Sequence, residues 1–104
     1  MPALVVLTAM PDVRSAERLA ARLVREKLAA CVSIIPGVRS VYHWKGRLEK
    51  ARETVLLIKT SRSRWKAVEK LVLGDHPYEL PELVSLPVTA GSKKYLDWIQ
   101  ASVR

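Results

Sequence analysis

Residues 30–60 read ACVSIIPGVRSVYHWKGRLEKARETVLLIKT and carry the pattern of one long strand, a turn and its returning partner. Ala30 to Ile35 is apolar and β-branched, which favours a buried strand. Pro36-Gly37 breaks the run. Proline has no amide for the ladder and glycine reaches conformations that other residues avoid, so the pair predicts a kink or bulge. Val38 to Trp44 resumes the strand, Lys45-Gly46 turns the chain, and Leu48 to Thr60 returns, ending in the apolar run Val55 to Ile58. Each arm of ~13 to 15 residues spans ~45 Å at ~3.3 Å per residue. A compact chain of this size is only ~33 Å across. The tip, with Val41, Tyr42, Trp44 and Leu48, must therefore overhang its own domain. An apolar overhang of that kind is an aggregation hazard unless another copy covers it, and closed cyclic symmetry is the usual solution.

Working outward, Ala3 to Ala9 (ALVVLTA) is a near-continuous apolar run and reads as a buried strand. Pro11-Asp12 ends it, with Asp12 placed to cap a helix. Ala16, Leu19, Ala20, Leu23 and Val24 then share one helical face, and that helix ends near Lys27, where cations suit the dipole. Beyond the hairpin a second helix runs from about Ser63 to Leu73, with Trp65, Val68, Leu71 and Val72 inward and Gly74 as its expected stop. The proline-punctuated segment Asp75 to Glu82 (DHPYELPE) reads as a loop, and Leu83 to Val88 as a fourth strand. Gly91-Ser92 opens a short terminal helix expected to pack Tyr95, Leu96, Trp98 and Ile99 inward. The order β-α-β-β-α-β-α is that of an α+β, ferredoxin-like split-βαβ domain with one added helix.

The 104 residues fit a single domain, residues 1–104, and a hydrophobic content of 49% is enough for a core without disulfides or a structural metal. No apolar run approaches the ~20 residues of a membrane span. Met1-Pro2-Ala3 enters a strand directly, without the pattern of a signal peptide. The one cysteine, Cys31, forms no internal disulfide, so a reducing cytoplasmic location is expected. A net charge of +8 invites a nucleic-acid partner. However, Arg14, Arg18, Arg22 and Arg25 recur at helical steps among Glu17 and Glu26, as on a solvated helix face. The absence of Asn and Phe, with a single Gln beside many ionic residues, is the pattern expected of a thermophilic source.

Nucleophile machinery and phosphate-cradling glycine loops are absent, so the chain is expected to bind and not to catalyse. The chemistry-bearing constellation is Asp75, His76, Glu79 and Glu82, which gathers carboxylates and an imidazole in one loop of a cationic chain. Carboxylate plus imidazole suits divalent ions such as copper or zinc. The alternative reading packs His76 and Tyr78 under the loop and pairs Glu79 and Glu82 with basic neighbours. Cys31 adds a thiol, although its apolar strand also suits it as a core residue. Lys59, Tyr78 and Trp44 are candidates for a cleft between subunits.

The segments LAACVSIIPGVRSVYHWKGRLE (28–49), LLIKT (56–60), HPYELPELVSLPV (76–88) and YLDWI (95–99) closely resemble the CutA divalent-cation-tolerance family, in the right order over essentially the whole chain. The resemblance implies a tight homotrimer similar in architecture to PII signalling proteins, and a link to copper and other divalent ions. It matches Cys31 and His76 to residues associated with metal in the family. Some members have cysteine at the position of Thr8 and a second histidine at that of Asp75. These departures imply a site more tolerant of zinc or other ions than of Cu(I). A second class of function is a PII-like signalling module whose inter-subunit clefts take a small anionic ligand or a partner protein.

Overall fold

In the computed structural model, which describes residues 2–104, the chain runs β1 (Ala3–Met10), α1 (Val13–Arg25), β2 (Cys31–Trp44), β3 (Arg47–Ser61), α2 (Trp65–Asp75), β4 (Leu83–Pro87) and α3 (Lys93–Ser102), with a 3-10 turn at Arg62–Arg64. The strands form one antiparallel sheet in the order β2-β3-β1-β4. β3 separates β1 from β2, and β1 separates β3 from β4, which is the split-βαβ arrangement expected from the element order.

Strand alternation decides which face becomes core. Leu4, Val6, Thr8 and Met10 of β1 lie level with Thr60, Ile58, Leu56 and Thr54 of β3, and this face receives α1 and α2. Val6, Leu56 and Ile58 meet Leu19 and Leu23 of α1 and Val68 and Val72 of α2, all fully buried. Each such side chain contributes about 1.5–3 kcal/mol through burial. The Thr8 hydroxyl is sealed in this core without a hydrogen-bond partner, so the position points away from any surface site.

Local chemistry sets the ends of α1. The Asp12 carboxylate accepts from the Ser15 amide at 2.7 Å. That bond, then a second from the Ser15 hydroxyl side, holds the Asp12 carboxyl below its usual range. At the other end the Leu28 amide donates to Leu23 O and the Lys27 amide to Val24 O, both at 3.0 Å, closing a Schellman motif. Lys27 takes the left-handed position of that motif, φ 59°, where glycine is preferred. Val24, expected on the inner face, is 42% exposed.

Two expectations fail at the later helices. Gly74 is not a stop but lies inside α2, which continues to Asp75. His76 leaves the helix with ψ 133° because a residue before proline, here Pro77, is disfavoured in helical conformation. In α3 only Ile99 is fully buried. Tyr95 and Trp98 are about half exposed and stack on each other with ring centroids 5.6 Å apart. Helical spacing put the four residues on one broad stripe, but α3 packs mainly on β1 and β3 along a narrow line.

The hairpin keeps its pairing from Cys31↔Lys59 to Trp44↔Arg47, with one register shift between Ile35 and Val38. Lys45 and Gly46 both have positive φ, 51° and 77°, the two-residue type I′ turn that matches strand twist. The domain measures 44 × 26 × 22 Å, so the hairpin does not fold back and its tip stands clear. Val41 and Leu48 are 62% and 61% exposed.

Candidate functional site

The register shift builds the site. Ile35 lies opposite Val55 and Val38 opposite Glu53, so Pro36-Gly37 adds one residue to β2 relative to β3. One extra residue inverts side-chain parity. Before the bulge, Cys31, Ser33 and Ile35 share the face opposite α1 and α2 with Lys59, Leu57 and Val55. After it, Ser40, Tyr42 and Trp44 occupy that face beside Glu53. Gly37 takes the positive φ, 71°, that the bulge requires.

On this face the segment Pro77–Glu82 arches over the sheet and closes a cleft of about 750 Å³. Tyr42, Trp44 and Glu53 come from the hairpin, and Tyr78, Glu79 and Glu82 from the arch. Glu53 is almost wholly buried. Burial first, and then the Glu53 carboxylate accepting from its hydroxyl, push the Tyr78 phenol far above the usual tyrosine range, so it stays protonated and donating.

His76 anchors the arch. Its Nε2 lies 2.8 Å from Ala9 O and its Nδ1 accepts from the Tyr78 amide at 3.2 Å. A carbonyl can only accept, so Nε2 carries the proton and the ring is the neutral tautomer with both nitrogens engaged. The imidazole also packs on Tyr78 with centroids 4.9 Å apart. A metal ion reaches this ring only by displacing one of the two bonds.

The structure therefore unites part of the expected constellation. Glu79, Glu82, Tyr78 and Trp44 line one cleft, and His76 lies beneath it. Asp75 sits outside the cleft at the end of α2, where its field adds to that of Glu26 in stabilising the Arg22 cation on α1. Cys31 and Lys59 lie level with Val5, four residues or about 13 Å along β1 from Ala9. There the Lys59 ammonium donates to Ser33 Oγ and lies 3.7 Å from Cys31 Sγ. Among the described residues no three His, Cys, Asp or Glu side chains are grouped to hold one metal ion. The carboxylates that line the cleft also disfavour a small anion there. Glu53 and Tyr42 are site residues that the sequence reading passed over. The signal for Glu53 is strand parity with Val55 and Leu57, set against the charged residues around it.

The chain matches the model of the CutA1 divalent ion tolerance protein family over residues 4–102. It belongs to that family. It is 45% identical to the divalent-cation tolerance protein CutA of Citrobacter koseri over 98% of its own length and 89% of the relative. It is 42% identical to the chloroplastic protein CutA of Arabidopsis thaliana over its whole length, but spans only 57% of that longer protein. The crystal structure of CutA1 from Oryza sativa superposes with a TM-score of 0.96 at 41% identity, covering all of this chain and 95% of the other. Among the described residues no helix is long and apolar enough to cross a membrane.

Proposed function

We propose that this chain is one subunit of a homotrimer that binds copper or another divalent cation in divalent-cation tolerance, without catalytic activity. The observation that carries the reading is an acid-lined cleft beside an apolar hairpin tip that one chain leaves bare. Glu79 and Glu82 offer exposed oxygens to a divalent ion at the mouth of the cleft. His76 holds the arch on Ala9 O, and becomes a ligand only where the metal repays a broken hydrogen bond. Cys31 and Asp75, which the fold keeps away from the cleft, take part only if the trimer brings another chain's copies beside it. The family's tolerance name supports the metal link. The unpaired Cys31 supports a cytoplasmic location, and the amide-poor composition supports a thermophilic source.

The test is calorimetric titration of metal-free protein with Cu(II) and Zn(II) salts. Saturable heats that disappear in a Glu79→Gln, Glu82→Gln variant are expected; unchanged heats in that variant contradict the site.

A further inference from the structure

Glu53, Glu79 and Glu82 line one cavity, yet they are not grouped to close on one metal ion. The wall between them is aromatic and aliphatic, with Tyr42, Trp44 and Leu80. The innermost carboxylate, Glu53, is only 8% exposed. Its partner is the neutral phenol of Tyr78, and the ion pairs among the described residues, Arg22–Glu26 and Lys93–Asp97, lie elsewhere. A buried carboxylate without a counter-charge is costly until a cation enters beside it. A cavity of about 750 Å³ is of the size that organic ligands fill, ~300–1,000 Å³, and far exceeds what a bare ion occupies.

From this arrangement we propose that the cleft binds an aliphatic polyamine, a ligand whose ammonium groups are held apart by methylene chains. Glu53 takes the innermost ammonium, while Glu79 and Glu82 take the outer ones. Separated charges reach separated carboxylates, which a single ion cannot do. The methylenes lie on the apolar wall formed with Trp44, whose ring already carries the Lys45 ammonium 5.6 Å from its centroid, and an ammonium over the Tyr42 ring gains cation–π attraction. The chain's net charge of +8 repels cations at long range, so the attraction comes from the cleft's own carboxylates. The inference goes beyond the divalent-metal reading. It shares Glu79 and Glu82 with that reading and adds Glu53, which a metal at the cleft mouth does not require.

The test is titration of metal-free, assembled protein with spermidine in the presence of a chelator, with tetramethylammonium as the single-charge control. One saturable site per chain is expected, with tetramethylammonium far weaker. Glu53→Gln and Glu82→Gln should each weaken spermidine about tenfold, as loss of a charge-assisted hydrogen bond does. Trp44→Leu should weaken it several-fold. Melting curves establish that Glu53→Gln folds, and Glu82→Gln, on the exposed arch, tests the cleft independently of that outcome. Absence of saturable spermidine binding, or equal affinity in the wild type and both glutamine variants, overturns the proposal. Cu(II) titration of the same proteins separates the two readings. Copper heats that survive Glu53→Gln while spermidine binding falls leave the metal site standing beside the polyamine site. Spermidine binding in a protein that takes no copper leaves only the polyamine site.

Discussion

The two halves of the β2–β3 hairpin obey the same alternation rule and end in opposite environments. Below the bulge, Leu56 and Ile58 are fully buried under α1 and α2. Above it, Val41 and Leu48 are more than 60% exposed. Both halves carry large apolar side chains and are continuously paired, so pairing does not separate them. What separates them is reach: the helices stop where the domain stops, and the strands continue. The lower half is satisfied by its own chain, and the upper half is left bare by it, as the proposed trimer requires.

Charging the upper half should produce the largest effect. Val41→Asp with Leu48→Lys is expected to abolish association on analytical ultracentrifugation. Far-UV circular dichroism should meanwhile show the secondary structure intact, because exposed substitutions usually change a chain's own stability by less than about 0.5 kcal/mol. Collapse of the fold in that variant would break the distinction between the halves. In the lower half, Leu56→Ala should cost about 2–5 kcal/mol in denaturant unfolding, the range for a large-to-small change in a packed core.

The boundary between the halves is open to a sharper test. Deleting Gly37 removes the extra residue and returns β2 to simple alternation, which sends Tyr42 and Trp44 to the opposite face. Fluorescence of Trp44, isolated by replacing the other tryptophans, should then lose its response to cleft ligands. The smaller His76→Ala change should cost about 1–3 kcal/mol, since it leaves the buried Ala9 carbonyl and the Tyr78 amide without their partner. Loss of copper heats with no loss of stability in that variant would show that the ring serves metal and not the arch.

The gentlest perturbation is pH. The folded Tyr78 phenol titrates above its unfolded value of 10.0. Its contribution is therefore fully present below pH 10 and is lost as pH rises beyond it. Tyr78→Phe should flatten the stability profile above pH 10 and, below it, lower stability without changing its slope. An unaltered alkaline slope in that variant would remove Tyr78 as its source.

Much of this fold was legible in the sequence because its strongest signals are local. Pro36-Gly37 marked the bulge, Lys45-Gly46 the turn, and the β-branched runs the central strands. Long-range competition hid the rest. Gly74 looked like a helix stop until Pro77 proved to set the end through His76. Tyr95 and Trp98 shared a helical stripe with Ile99, and nothing local says how wide a strip of α3 the sheet covers. The loop acids announced themselves as a cluster, yet their cleft partner Glu53 sits amid Lys50, Arg52 and Thr54 and reads as a solvated strand. Plain alternation along β3 with Val55 and Leu57 places it on the cleft face, and the parity inversion in β2 brings Tyr42 and Trp44 beside it. His76, which the loop composition suggests as a ligand, is instead committed to a carbonyl 67 residues earlier in the chain.

The central claim is that the upper hairpin is covered by further copies of the same chain. Light scattering coupled to size exclusion, run across a dilution series of the wild-type protein, tests it most directly. A mass three times that of the chain, maintained on dilution, is the expected result. A mass equal to one chain at every concentration would contradict it.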